Sequence, residues 1–495
     1  MPHTPATSAD VLHAVNAAWD AFAQHPDVEA RARTLDCAAA RLDAHPGLVR
    51  TVCDETGYPE PRVRTELVRT TAQLRAFAAL IREGSWCEPT IDRGDPARTP
   101  TPKPDLRRML FPLGPVGVFG ASNFPLAYGV AGGDTASALA SGCPVIVKGH
   151  SAHPRTGERI AGELVEACRE GGLPAGFFAY LPAWGERDVA VGVELVQHPR
   201  LRAVGFTGSH AGGMAIVRLA QERPEPIPVY AEMGSVNPVF VLPGAAASRG
   251  REIGALLAGS AMLSVGQMCT CPGLIFLPPG SDAVADAMRE AFDQATPTRM
   301  VSERVAAAFA SRVRELAGTP GVRVLAGGMP PTAGPRAGTP TLLETTSEVF
   351  RRGGTLREEC FGPETLLVRC ADAAEFFEIA RTLPGALTGS IFAEFAGRAD
   401  APAARDLAVL LRDRVGRLIF NGVPTGVEVV PAMTHSGPYP ACSRPESTAV
   451  GTYAIRRWCR PVTFQNAPPD FLPEELRDAN PRRLWRMVDG VRMQA

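Results

Sequence analysis

Apolar positions recur at helical spacing through residues 9–84, where Val11, Val15, Ala18, Trp19 and Phe22 form one stripe and Leu67, Leu74, Phe77 and Leu80 a later one. Gly57-Tyr-Pro and Glu60-Pro break that region between helices. Residues 86–104 are rich in Pro, Thr and Asp, which predicts an extended connection or arm. From residue 107 the pattern changes to short uncharged runs, each followed by small residues and then a helical stretch. Residues 116–119, 144–148, 177–181 and 203–206 read as buried strands, and 129–141, 156–171, 188–195 and 214–221 as helices, with Thr156 as an N-cap. That alternation predicts an α/β architecture around a parallel sheet. Helical periods over 283–295 and 302–317, with strand-like runs near 342–343, 368 and 390–392, predict a second α/β domain. Residues 456–465 look like an edge strand. The stretch 468–495 is polar with apolar anchors Phe471, Leu472, Leu484 and Trp485, which suits subunit contact.

Length narrows this picture more than charge does. At 495 residues two or three domains are expected, and a net charge of −1 without blocks of like charge excludes a nucleic-acid groove. Residues 109–133 carry no charge and are long enough to suggest a membrane span, but three prolines and six glycines favour buried strands and loops. The first residues lack a cationic segment followed by an apolar run, so a cytoplasmic protein is expected. Eleven cysteines, odd in number and irregularly spaced, fit reduced thiols better than disulfides, and no metal site is expected. Of the 51 basic residues only Lys103 and Lys148 are lysines, and Lys148 ends a predicted strand.

Several residues suggest chemistry. Cys269 follows Gly266-Gln267, where the apolar lead-in Ala261, Met262 and Leu263 stops, a setting that suits a nucleophile with a lowered pKa. A small buried hydrophobe is the competing reading, and a second thiol, Cys271, is its close neighbour. Asn123 falls at the C-terminal end of the 116–119 strand, where its amide could donate to an oxyanion or simply form a turn. Gly208 and Ser209 lie between a strand and a helix N-terminus, which makes either an anion site or a plain cap. Glu232 is one carboxylate in an uncharged run, and burial would raise its pKa toward that of a usable base. Gly114, Gly117 and Gly120 spell GxxGxxG, so the common GxGxxG dinucleotide fingerprint is absent. No GxSxG occurs, which removes a nucleophile-elbow hydrolase.

The strings FGASNFPLAYGVAGGDTASALASGCPVIVKGH, YAEMGSVNPVF, GQMCTCPGL and FNGVPTGVEVVPAMTHSGPYPA occur in the order of the aldehyde dehydrogenase superfamily, which the chain resembles from about residue 10 to 470. Within it, the resemblance is greatest to the NADP-linked 2,5-dioxovalerate (α-ketoglutaric semialdehyde) dehydrogenases. The resemblance implies an α/β fold of the aldehyde dehydrogenase type, with a variant Rossmann cofactor domain (1–97 and 118–230), an α/β catalytic domain (231–446) and a small oligomerisation arm and tail (98–117 and 447–495). It implies that Cys269 attacks the aldehyde, that Asn123 and the cysteine N–H hold the oxyanion, and that Glu232 activates the hydrolytic water. By the same resemblance Lys148 binds the adenosine ribose, Gly208 and Ser209 the pyrophosphate, and Glu359 with Phe361 the nicotinamide ribose end. NAD-preferring relatives commonly carry a glutamate three residues after that lysine; Ser151 stands there, so NADP is favoured and NAD remains possible. A homodimer or homotetramer acting on a small-molecule aldehyde is implied.

Three departures bear on the substrate: Met214 where such dehydrogenases often have a basic residue, Cys271 where a polar one is usual, and Ser443-Arg-Pro-Glu-Ser near the substrate entrance. Arg444 and Arg457 are candidates to hold a substrate carboxylate. The alternatives are the same chemistry on a medium or long-chain or other aldehyde, thioester transfer to coenzyme A, which a retained Glu232 disfavours, and a non-catalytic binding protein of the same fold.

Overall fold

Four N-terminal helices form where the helical periods predict them, in a computed structural model that describes residues 4–328, 334–396 and 399–494. Ser8–Phe22, Val28–Ala44, Leu48–Thr56 and Glu60–Glu83 are separated by turns, and Gly47, Gly57 and Gly84 end or begin them in the left-handed region that glycine adopts without a steric cost. Thr7 and Asp10 close a capping box at the first helix.

The helices cover a five-stranded sheet, parallel throughout, in the order Phe178–Leu181, Val145–Lys148, Val116–Phe119, Ala203–Thr207, Val229–Glu232. Its inner strands are nearly continuous apolar runs because both faces are covered. The chain starts at the central strand, builds outward on one side and then crosses to the other. That reversal opens a crevice at the C-terminal ends of Val116–Phe119 and Ala203–Thr207.

A second sheet of seven strands runs Arg323–Ala326, Thr341–Thr346, Glu364–Arg369, Leu274–Leu277, Val239–Val241, Ala386–Phe392, Val415–Phe420, with only the first pair antiparallel. Phe240, Phe276, Phe350 and Phe376 stack and cross one another in its core. A third sheet joins Cys459–Gln465, Leu106–Pro112, Thr90–Asp92, Arg486–Val488 and Val491–Met493, and its outer strand Cys459–Gln465 pairs on one side only. Among the described residues no helix is long and apolar enough to cross a membrane.

Several boundaries differ from those predicted, each for a local reason. Residues 124–132 form turns and the helix begins at Gly133, because the Glu66 carboxylate accepts the N–H groups of Leu126 and Ala127 at 2.8 and 3.0 Å and holds that backbone out of helical register. Thr156 does not cap its helix, which runs Pro154–Gly171. The Thr156 hydroxyl and N–H instead donate to Glu55, at 2.6 and 2.8 Å. The helix expected at 214–221 begins four residues earlier, as His210–Gln221, with Ser209 as its N-cap. A long helix, Pro243–Met262, leads into the cysteine loop; its many Gly, Ala and Ser residues gave little helical contrast.

Candidate active site

Cys269 sits in a turn between the helix Pro243–Met262 and the buried strand Leu274–Leu277. The approach is bent by three successive left-handed residues, Ser264, Val265 and Gly266. A β-branched valine there is costly, by roughly 1–3 kcal/mol, and such strain collects at functional loops. At Gly266 a Cβ would meet the backbone of Gly362 at 2.2 Å, so a side chain is excluded. The turn is held from below by Asn237, whose amide donates to the carbonyls of Cys269 and Cys271, both at 2.8 Å. Its Oδ1 accepts from the Thr388 hydroxyl at 3.0 Å.

Two partners meet the thiol. Sγ of Cys269 lies 3.3 Å from Nε2 of His435, and the same nitrogen lies 3.0 Å from Oε1 of Glu232. The three donor atoms fall within 4.8 Å of one another, a set that serves proton transfer and could also hold a divalent ion. Oε2 of Glu232 is buried without a hydrogen-bond partner. Glu232 ends the strand Val229–Glu232, and the segment carrying His435 is tied alongside it. A bridge joins Glu232 to Cys442, Met233 N–H donates to Ala441 at 2.7 Å, and the Ser443 hydroxyl donates to Val229 at 2.7 Å. Ser443, which the sequence placed near the substrate entrance, therefore pins the histidine segment to the sheet.

The electrostatics reverse two expectations. Burial, the nearby Glu232 charge and, more weakly, Glu359 push the Cys269 thiol well above its ordinary value, so it rests as a thiol and not as the acidified thiolate predicted. Burial alone would raise Glu232, but the His435 imidazole, the thiol and Arg457 outweigh it, and Glu232 stays below the ordinary carboxylate value. Glu359 is pushed up to about 7 by burial, partly offset by the Ser235 N–H and reinforced by Glu232. Cys271 turns away, its thiol directed at the carbonyl of Ala261 at 3.6 Å, and burial raises it too.

Cys269, Glu232 and Asn123 open onto one cavity of 720 Å³, and Gly208, Ser209, Glu359 and Phe361 line it as well. Asn123 Nδ2 donates to Gln267 O at 2.9 Å, which leaves its second amide hydrogen for another acceptor. Ser209 accepts from Gly212 N–H at 3.3 Å, so the cap and the anion site are one feature: the N-terminus of His210–Gln221 faces the cavity. At Gly208 a Cβ would meet the Phe206 ring at 2.7 Å, and at Gly234 it would meet the Glu359 carboxylate at 2.4 Å, so the lining backbone is kept bare. Lys148 and Ser151 do not line this cavity, although their neighbour His150 does. The Lys148 ammonium and the Ser151 hydroxyl both bind Asp188, the latter at 3.1 Å.

The two arginines proposed for a carboxylate are otherwise engaged. Arg457 is buried, pairs with Asp134 and stacks 4.8 Å above the Trp458 ring, while Arg444 lies on the surface 3.5 Å from Glu446. His435, Asn237 and Asp188 were missed by the sequence reading. The available signal for His435 was its isolation as the one titratable side chain in residues 429–438.

A parallel sheet with a crevice at its topological switch, facing a half-buried cysteine with an imidazole and a carboxylate in reach, defines an α/β protein with a candidate thiol nucleophile beside a cleft of 720 Å³. The profile of the aldehyde dehydrogenase family matches residues 3–433, and the chain belongs to that family. It is an oxidoreductase that converts an aldehyde to a carboxylate. It is 44% identical over 492 residues to alpha-ketoglutaric semialdehyde dehydrogenase 2 of Azospirillum brasilense, covering 98% of this chain and 92% of that one. It is 41% identical over 495 residues to the alpha-ketoglutaric semialdehyde dehydrogenase of Acinetobacter baylyi, covering 99% and 92%. In fold it matches the glyceraldehyde-3-phosphate dehydrogenase of Methanocaldococcus jannaschii solved with NADP, at a TM-score of 0.77, 19% identity and coverage of 94% and 95%.

Proposed function

We propose that this enzyme oxidises 2,5-dioxovalerate to 2-oxoglutarate, with NADP as its first cofactor and NAD as a second. The contact of Cys269, His435 and Glu232 at the wall of the 720 Å³ cavity carries the mechanism, and full-length identity to two ketoglutaric semialdehyde dehydrogenases supports the substrate. The separate five-stranded and seven-stranded sheets support a division into cofactor-binding and catalytic regions, with an arm on the third sheet that also takes in Thr90–Asp92. A homo-oligomer joined through the arm, working in the cytoplasm, completes the reading.

The residues fit a dinucleotide. A cleft of this size falls within the range of about 300–1,000 Å³ usual for small-molecule sites. The helix N-terminus at Ser209 suits the pyrophosphate, and Glu359 and Phe361 the nicotinamide ribose end, whereas Lys148 and Ser151, proposed for the adenosine ribose, lie outside the cavity lining and are held by Asp188.

Because the thiol rests protonated, attack on the aldehyde is coupled to proton transfer from Sγ to Nε2 of His435 over 3.3 Å. That proton returns from the imidazole to Sγ when the thioester is hydrolysed and the thiolate departs. The oxyanion is met by the free amide hydrogen of Asn123 and by the Cys269 N–H. A bound nicotinamide would supply the hydride acceptor, and Cys269 would keep the oxidised substrate as a thioester. The free Oε2 of Glu232 then takes a proton from the water that attacks the thioester, and the carboxylate product leaves.

The test is NADPH and NADH formation by the purified protein with 2,5-dioxovalerate, succinic semialdehyde and a medium-chain aldehyde. Cys269→Ala should lose at least about 10⁴-fold in turnover. A preference for the medium-chain aldehyde would keep the mechanism and overturn the substrate.

A further inference from the structure

Two arginines near the thiol lack an anionic partner. Arg69 projects from the helix Glu60–Glu83, and its Nη2 donates to the Tyr128 hydroxyl at a long 3.4 Å. Its guanidinium lies 5.2 Å from the centre of the Tyr128 ring, and Nη1 is buried with no hydrogen-bond partner. Among the described residues no carboxylate lies within 4.0 Å of it. The nearest architecture explains why: Glu66, one turn earlier, is taken by the Leu126 and Ala127 N–H groups and by Arg62 at 3.6 Å.

Arg417 lies on the strand Val415–Phe420. Nη1 and Nη2 donate to the loop carbonyls of Gly426 and Pro424, and Nε is buried without a partner. Burial depresses its pKa, and the Cys269 and Tyr128 charges work against that shift. The Arg69 charge likewise acts on Cys269 and on Tyr128. Tyr128 in turn packs 6.2 Å from the His435 ring.

These groups therefore gather around the thiol. None of Arg69, Tyr128, Arg417 and His435 lines the 720 Å³ cavity, so a ligand group that met them would not compete with one filling it. A buried guanidinium nitrogen without a partner is costly on its own and suits an anionic oxygen that arrives with the ligand.

We propose that Arg69, with the charge of Arg417 also near the thiol, binds the carboxylate at the far end of the aldehyde, so that the enzyme selects short ω-oxo acids over neutral aldehydes of equal length. The inference deepens the proposed function and rests on it only for the aldehyde chemistry. Arg69 is here a specificity residue. A planar two-pronged donor also distinguishes arginine from lysine at this position.

The experiment compares kcat/KM for 2,5-dioxovalerate and for pentanal in wild type, Arg69→Met and Arg69→Lys, with glutarate as an inhibitor of pentanal oxidation. In Arg69→Met the value for the oxo acid should fall about 10²-fold more than the value for pentanal, chiefly through KM. Lysine should restore part of the difference, and glutarate should inhibit wild type competitively but not the methionine variant. Equal losses on both substrates, or an unchanged ratio, would overturn the proposal. If wild type prefers another aldehyde yet loses glutarate inhibition on Arg69→Met, the anchor stands and 2,5-dioxovalerate falls as the substrate. If glutarate never competes with pentanal, the anchor falls whatever the substrate.

Discussion

The two sides of Cys269 are built in opposite ways. On the side of the sheet's crevice, Asn123, Lys148, Gly208 and Ser209 lie at or a few residues beyond the C-terminal ends of neighbouring strands in one parallel sheet. On the proton-transfer side, Glu232, Cys269 and His435 come from the edge of one sheet, a strained turn and a loop that folds back from beyond the second sheet. The first arrangement repeats a local rule, whereas the second exists only where separate segments meet. A shared low-dielectric contact arises only at the meeting point, whereas the repeated strand ends offer the same local position several times.

The largest effect should separate the roles within the trio. Glu232→Gln should keep the first turnover of hydride transfer but slow the steady state by about 10²–10⁴-fold, seen as a burst of reduced nucleotide. The same variant should move the pH dependence of iodoacetamide alkylation to lower pH, because the charge that pushes the thiol up is gone. A profile that moves to higher pH would show that Glu232 serves as the base for the thiol. His435→Gln should cost about 10²-fold in the first turnover itself, with the burst lost. A normal burst in that variant would leave the proton from Sγ without its assigned path.

On the other side the expected effect is smaller. Asp188 holds both Lys148 and Ser151, the groups that a 2′-phosphate would need, and its own charge opposes that phosphate. Asp188→Asn should therefore raise the ratio of kcat/KM for NADP over NAD by roughly tenfold, the effect of one charge at contact range in a wet site. A fall in the ratio would mean that Asp188 orients Lys148 for the phosphate and does not compete with it.

How far the sequence could be read follows the same division. The buried strands of the first sheet and the candidates Asn123, Gly208 and Ser209 at strand ends were legible because periodicity and small-residue turns are local, whereas the crevice at the sheet's switch point came only with the strand order. Glu232 stood out as one carboxylate in an uncharged run, and its burial was anticipated. The direction of its pKa was not, since that depends on His435, which lies 203 residues away. Arg69 was invisible for a different reason. In a chain that uses arginine for almost every positive charge, residue type carries no signal, and only a buried nitrogen without a partner marks it.

By itself, then, the order of apolar runs, glycines and the cysteine motif determined the α/β class, the family and the candidate nucleophile, because each is encoded over a few residues or a few turns. The tertiary structure decided the protonation of Cys269, the partner of Glu232, the engagement of Lys148 and Ser151 by Asp188, and which arginines face the thiol. Those properties are set by distance and dielectric between segments far apart in the chain, and neither quantity is written in any one of them.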